Sequence, residues 1–404
     1  MQTRLDPQIL ATDRGQTADA ILRACVHCGF CNATCPTYQV RGDELDGPRG
    51  RIYLMKSMLE AGQGTREMRT HLDRCLTCRN CETTCPSGVR YGELLEIGRE
   101  VLDETCARPP QDVAARWLIN EVVQRPRLFG AAVAIGQRVR GLLPAALASK
   151  VPQPVVATAW PVPRHARRVL LLTGCAQAAV TPDVNSAIAA LLDANGVSAL
   201  PADGCCGALP HHLGLVDSAD GMLARNLRGW RGALGDVEAV ISSASGCGVH
   251  VKDYGRLAKD AALEADAQRL ATLTLDIAEY LTKLVADQGS LRPAAQPRRV
   301  AWHPPCTLQH GQRVTGLVEA LLRAAGHTLV PVRDAHLCCG SAGTYSVLQP
   351  ELSSVLGKRK LASLREHAPE VVATANIGCQ LHLDALAATD DTAPRVVHWV
   401  QLLG

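Results

Sequence analysis

The chain has 404 residues, 47% of them hydrophobic and 20% charged, enough for two or three domains with sizeable cores. A net charge of +3 and only 3% aromatic residues argue against a nucleic-acid-binding surface. Seventeen cysteines occur without a signal-peptide core in residues 1–20 and without any run of 18 apolar residues. That combination points to metal chemistry in a reducing compartment, with no spanning segment.

The sequence around Thr17-Ala-Asp-Ala-Ile-Leu-Arg-Ala24 predicts a helix that delivers the chain into Cys25-Val-His-Cys28-Gly-Phe-Cys31-Asn-Ala-Thr-Cys35-Pro36. The same pattern returns 50 residues later as Cys75-Leu-Thr-Cys78-Arg-Asn-Cys81-Glu-Thr-Thr-Cys85-Pro86. Both read C-x2-C-x2-C-x3-C-P, the bacterial-type spacing for a [4Fe-4S] cluster. Cysteines at i, i+3 and i+6 of a tight loop can converge on three irons, and the fourth, followed by proline, turns away. In two-cluster ferredoxins that fourth thiolate serves the other cluster, which gives Cys25, Cys28, Cys31 with Cys85, and Cys75, Cys78, Cys81 with Cys35. A zinc site would use two knuckles set well apart, and disulfides would call for a secretory signal.

Between the loops, apolar residues at 52, 54, 55, 58 and 59 predict a helix over 51–60, stopped by Gly62 and Gly64. Residues 92–106 repeat the helical spacing with Leu94, Leu95, Ile97, Val101 and Leu102. The expectation is a helical ferredoxin-type domain over 1–108, closed by Pro109-Pro110. Residues 109–165 read as a connector of amphipathic helices broken at Pro126 and Pro144, ending in a Pro-rich stretch. Around it Arg116, Arg125, Arg127, Arg138, Arg140, Lys150, Arg164, Arg167 and Arg168 outnumber Asp112 and Glu121. Such a segment is either a connector with solvated charges or a docking surface for anionic lipid or a partner subunit.

The rest is an internal repeat, 166–290 and 297–404. Each half opens with a buried-strand run into a cysteine (Cys175, Cys306), continues to a double cysteine with glycine (Cys205-Cys206-Gly207, Cys338-Cys339-Gly340), and closes on a strand followed by Cys247 or Cys379. The equivalent cysteines lie 131, 133 and 132 residues apart. Strands alternating with helices predict α/β units with parallel sheets, their cysteines at the carboxyl edge where such folds bind ligands. Adjacent cysteines suit several irons of an unusual cluster, or a vicinal disulfide, better than one ion. Reduced core thiols or structural zinc are the plainer readings. Cys106 reads as a plain buried thiol.

Two ferredoxin loops followed by two CCG domains resemble the family of iron–sulfur subunits of bacterial glycolate oxidase. Relatives include anaerobic glycerol-3-phosphate dehydrogenase, lactate-utilisation and heterodisulfide reductase subunits. Gly47-Pro-Arg-Gly-Arg-Ile-Tyr-Leu-Met55 and Leu170-Leu-Leu-Thr-Gly-Cys175-Ala-Gln177 carry the likeness to the glycolate family. The resemblance implies an α+β multidomain protein, a helical two-cluster ferredoxin domain followed by two repeated α/β CCG domains. It implies an electron-transfer subunit of an oxidoreductase complex that holds two [4Fe-4S] clusters but no substrate-oxidising residue. It places FAD on partner dehydrogenase subunits and sends the electrons on to a quinone or another respiratory acceptor. The expected location is peripheral, on the cytoplasmic face of the bacterial inner membrane. No G-x-G-x-x-G follows a strand, so no dinucleotide site is expected on this chain. The fullest CCG motif ends in C-x-x-C, whereas both halves here place histidine last, His250 and His382. That departure argues against a noncubane cluster and against direct disulfide reduction. The second half, with its glycine-rich Gly340-Ser-Ala-Gly343-Thr-Tyr345, is the stronger candidate for a third iron–sulfur centre through Cys306, Cys338, Cys339 and Cys379, with His382 as a further ligand. The first set, Cys175, Cys205, Cys206, Cys247 and His250, is expected to be mainly structural.

Overall fold

The computed structural model describes residues 1–142, 151–290, 296–388, 390 and 393–404. The chain forms two compact units, one of residues 1–116 with 336–360, the other of residues 117–335 with 361–404.

The first unit is helical. The chain enters through the helix Asp13–Ala24, whose N-cap Thr12 side chain accepts from Gly15 N–H. The interloop helix is Pro48–Ala61, ended by Gly62 at φ +66°, and the helix after the second loop is Tyr91–Thr105. Their apolar faces meet in one core of Leu22, Met55, Met58, Leu59, Leu94, Leu95 and Leu102, all with no exposed surface. The segment 336–360, which carries Cys338, Cys339 and Gly340, belongs to this unit. Asn80 Nδ2 donates to His336 O (3.1 Å) and Tyr345 Oη donates to Arg74 O (3.0 Å), tying it to the second cysteine loop. From sequence alone that segment reads as part of 297–404.

The second unit holds two four-stranded sheets of parallel strands. The first has the order β2-β1-β3-β4, with β1 Arg167–Leu172, β2 Val197–Ala202, β3 Ala239–Ser242 and β4 Thr274–Asp276. The second repeats it as β6-β5-β7-β8, with β5 Arg299–His303, β6 Thr328–Val330, β7 Val371–Thr374 and β8 Arg395–His398. Equivalent strands sit in the middle, Leu170 opposite Val240 and Val300 opposite Val371. Strands buried on both faces read as continuous apolar runs, which is why β1 and β3 stand out in the sequence.

One core serves both repeats: Val169, Leu171, Ile241 and Ile277 pack with Val300, Trp302, Ala373 and Trp399. Polar bonds cross the same junction. Ser245 N donates to Ala375 O (3.1 Å), Ser245 Oγ meets Thr307 Oγ1 (2.7 Å), and Gln312 Nε2 donates to Ser245 O (3.1 Å).

The connector contains the helices Pro110–Val123 and Pro126–Val139. Several of its basic residues are tied up: Arg116 with Asp73 (3.4 Å), Arg125 with Glu121 (2.5 Å), Arg164 with Asp193 (2.6 Å) and Arg167 with Glu238 (2.9 Å). Lys150 and the break expected at Pro144 lie outside the described residues. Trp117, Leu118, Leu128, Ile135 and Leu142 are exposed. Among the described residues no helix is long and apolar enough to cross a membrane.

Candidate metal centres

The two cysteine loops share one backbone design. His27 and Gly29 take positive φ in the first, +59° and +84°, and Thr77 and Arg79 repeat this in the second at +52° and +57°. A β-branched threonine there is strained, and such strain persists where the surroundings hold it for a purpose. Alternating left-handed residues turn successive N–H groups into one concavity, a nest for anionic ligands. Short helices Phe30–Ala33 and Asn80–Thr84 follow, and the equivalent threonines Thr34 and Thr84 meet at 3.1 Å. The two loops therefore face each other.

That facing arrangement exchanges the fourth cysteines. One cavity, with about 430 Å³ free of protein atoms, is lined by Cys25, Cys28, Cys31 and Cys85. The other, about 310 Å³, is lined by Cys35, Cys75, Cys78 and Cys81. Cys81, Pro48 and Tyr91 border both. Cys28 is exposed, whereas Cys25, Cys35 and Cys81 are buried. Burial pushes the thiols of Cys25, Cys35 and Cys81 up and that of Cys31 up to about 11. A bound cation offsets that cost of burial, which suits iron. The cysteines that line each cavity, beside left-handed turns that suit an anion, fit a [4Fe-4S] cluster, whose core with four thiolates is anionic.

Two residues not predicted as site residues, Arg51 and Tyr91, line the second cavity, and a third, Asp46, stands next to Arg51. Arg51 is 1% exposed, donates through Nε to His71 O (2.8 Å) and through Nη1 to Thr37 Oγ1 (3.1 Å), and lines the cavity wall. Tyr91 Oη donates to Cys75 Sγ at 3.6 Å. Asp46, wholly buried, lies behind Arg51 and accepts from Arg74 Nη1 (3.1 Å) while Arg41 Nε stands at 2.6 Å. The string Gly47–Met55 marked this stretch as distinctive, but nothing in it says that a charged side chain turns inward.

In the second unit the first repeat gathers its whole set. Cys175 begins a helix, Cys175–Val180, after β1, and Cys247 lies in the helix Ser245–Lys252 after β3. Cys205 hydrogen-bonds with both Cys175 and Cys206, and Cys206 with Cys247. Accepting from both neighbours holds Cys205 below the usual thiol range, while Cys175 and Cys206 are driven up. Tyr254 Oη donates to Cys206 O (2.6 Å), and Asn226 Nδ2 donates to Cys205 O (2.8 Å), clamping the pair. His250 is buried, with its ring 5.2 Å from that of His211, and His212 is exposed.

The residues of the second set are assigned to both units. Cys338 and Cys339 lie in the first unit, where Gly340 N donates to Cys338 Sγ (3.4 Å). Cys306, Cys379 and His382 lie in the second, Cys379 and His382 one turn apart on the helix Ile377–Ala387. All four of its cysteines are buried. Asn376 Nδ2 donates to Cys379 Sγ (3.7 Å). Cys106, expected to be buried, is half-buried and packs on the helical core.

Comparison with known families and proteins shows the same succession of modules along the chain. Residues 21–89 match the 4Fe-4S dicluster domain, and residues 169–252 and 300–384 match the cysteine-rich domain twice. The chain is 46% identical over 408 residues to the glycolate oxidase iron–sulfur subunit of Escherichia coli, covering 100% of this chain and 98% of that one. A probable glycolate oxidase iron–sulfur subunit of Bacillus subtilis is 28% identical, over 94% of this chain and 92% of the relative. Lactate utilization protein A of Geobacillus kaustophilus is 29% identical over 58% of this chain and 98% of its own length. With the likeness running from end to end over the ferredoxin loops and both cysteine-rich repeats, the chain belongs to the glycolate oxidase iron–sulfur subunit family.

Proposed function

We propose that this chain relays electrons from a flavoprotein that oxidises glycolate to glyoxylate, with Cys25, Cys28, Cys31 and Cys85 holding one [4Fe-4S] cluster and Cys35, Cys75, Cys78 and Cys81 the other. The observation that carries the ligation is the exchange of the fourth cysteines between the two cavities. Bound clusters supply one-electron storage, which divides the two electrons of a reduced flavin into single steps. The protein's own part is placement. Cys28 brings the first site to the surface, and Cys81 in the common wall keeps the two sites adjacent. Asn80 and Tyr345 hold the Cys338-Cys339 segment against the second loop.

Replacing Cys85 by Ser tests the ligation. The low-temperature EPR signal of the cluster held by Cys25, Cys28 and Cys31 should be altered, and that of the second cluster kept. Loss of the second signal alone would refute the exchange.

The acceptor on this reading is a membrane quinone, with the complex bound peripherally to the inner membrane. Support comes from the exposed apolar residues of the connector helices, Trp117, Leu118, Leu128 and Ile135, beside Arg127 and Arg138. High-salt washing should release the complex from membranes, and an active complex found wholly in the soluble fraction would remove this part. A further iron–sulfur centre in the second cysteine-rich repeat is the remaining proposal. Metal analysis reads it directly: about eight irons per chain suffice for the two loops, and about twelve require a third centre. Comparing Cys205→Ser with Cys338→Ser then tells which repeat contributes.

A further inference from the structure

Arg51 is an unusual residue to find without exposed surface. Its Nη2 has no hydrogen-bond partner among the described residues; the nearest carboxylate oxygen, Oδ1 of Asp46, stands at 3.6 Å. Burying a guanidinium is costly unless charge opposite to it is close by. Asp46 cannot supply that charge alone, because Arg41, Arg74 and His71 Nδ1 (2.9 Å) already converge on it. Asp43, Asp46 and His71 place ligand atoms within 4.8 Å of one another, yet this crowd of guanidiniums makes the group a poor cation site. The surplus charge is positive and points the other way. Arg51 lines the cavity of Cys35, Cys75, Cys78 and Cys81, and the sulfurs of Cys35 and Cys75 are among the groups that act on it most strongly.

Among the described residues the first cavity has no buried guanidinium in its wall; the basic side chains that line it are His27, which is exposed, and Arg49. Its cationic neighbours are Arg49, which pairs with Glu44 (2.6 Å) and is partly exposed, and the N-terminal ammonium beside Cys25 O (2.6 Å). Solvent screens both. The second cavity also receives the Tyr91 hydroxyl on Cys75 Sγ, opposed by the carboxylate of Glu82 next to Cys81.

We infer that Arg51, fixed by His71 O and Thr37, raises the reduction potential of the second [4Fe-4S] site above that of the first, so that electrons entering at the exposed Cys28 loop are drawn inward. This rests on the ligation proposed above. The physics is one of charge: each electron added makes a site more negative by one unit, and a buried guanidinium in low dielectric favours that form more than a screened surface cation does. The hydrogen bonds to Thr37 and His71 O fix the guanidinium so that it cannot swing into water.

The test is an EPR-monitored redox titration of the full chain, the two signals having been assigned by Cys85→Ser. In Arg51→Met the midpoint of the second site should fall while that of the first stays, and Arg51→Lys should restore part of the loss. Asp46→Asn removes the opposing charge and should move the second midpoint upward, which keeps the test open if Arg51→Met does not assemble. Unchanged midpoints in Arg51→Met with eight irons bound, or equal shifts of both sites, would overturn the inference. So would a second midpoint in Asp46→Asn that fails to rise. Fewer than eight irons in the unsubstituted protein would instead count against the ligation itself.

Discussion

His398 joins the two cysteine-rich repeats through a single imidazole. Its Nε2 donates to Ser243 O at 2.9 Å, and its Nδ1 accepts from Val400 N at 3.3 Å, so the ring is held neutral with the proton on Nε2. Burial pushes it down to about 4. The unfolded imidazole takes up a proton near 6.5, so the stabilisation is complete above that pH and is lost as pH falls towards 4, roughly 3 kcal/mol in all. Urea midpoints between pH 7.5 and 4.5 should fall more steeply in the unsubstituted protein than in His398→Gln. Parallel curves would show that His398 is not charged on unfolding. The comparison between the two proteins matters because Asp276, raised to about 7 by burial, contributes in the opposite sense.

A second buried contact of the same grade is Tyr254, which has no exposed surface and links Cys206 O to Asn226. Tyr254→Phe leaves both partners short of a hydrogen bond in a dry site and should cost about 1–3 kcal/mol in urea unfolding. A change below ~0.5 kcal/mol would mean that water replaces the hydroxyl there.

At the scale of elements, the two CCG turns are alike in conformation and unlike in surroundings. Gly207 and Gly340 both lie in the left-handed region, at φ +87° and +88°. A Cβ on Gly340 would stand 2.7 Å from Ser353 O, whereas on Gly207 its nearest neighbour would be Ala219 O at 3.3 Å. Alanine at either position carries the conformational cost of about 1–2 kcal/mol, and only at 340 does backbone also block it. Gly340→Ala should therefore lower stability distinctly more than Gly207→Ala in the same unfolding assay, and equal losses would contradict the close approach.

Elements were legible where their pattern was long. The doubled cysteine spacing, the helices at 48–61 and 91–105, and the apolar runs of β1 and β3 all follow from periodicity and punctuation in the sequence. Thr274–Asp276 and Arg395–His398 did not: strands of three and four residues carry too little pattern, and their pairing comes from β3 and β7 beside them. The inward turn of Arg51 was equally hidden, since a lone arginine on an amphipathic helix is ordinarily a solvated one. What reverses it is tertiary, the sulfur-lined wall on one side and Asp46 behind. The four thiols of the first repeat were each predicted as candidates, but the direct contacts among Cys175, Cys205, Cys206 and Cys247 depend on how two helices and two loops meet at the sheet edge.

On the scale of the whole molecule, the proposed relay follows the two ferredoxin loops in turn. The most exposed cysteine belongs to the first loop, the two cavities share a wall, and the double cysteine of the second repeat is bound into the same unit as the second loop. On the proposed function, that series accepts electrons from a partner and hands them on. The most direct measurement is freeze-quench EPR of the anaerobic complex of this chain with its flavoprotein after mixing with glycolate. A relay predicts that reduced-cluster signals from this chain grow in at least as fast as the enzyme turns over, and that Cys85→Ser alters the first of them. Turnover with artificial or native acceptor while both clusters stay oxidised would contradict it.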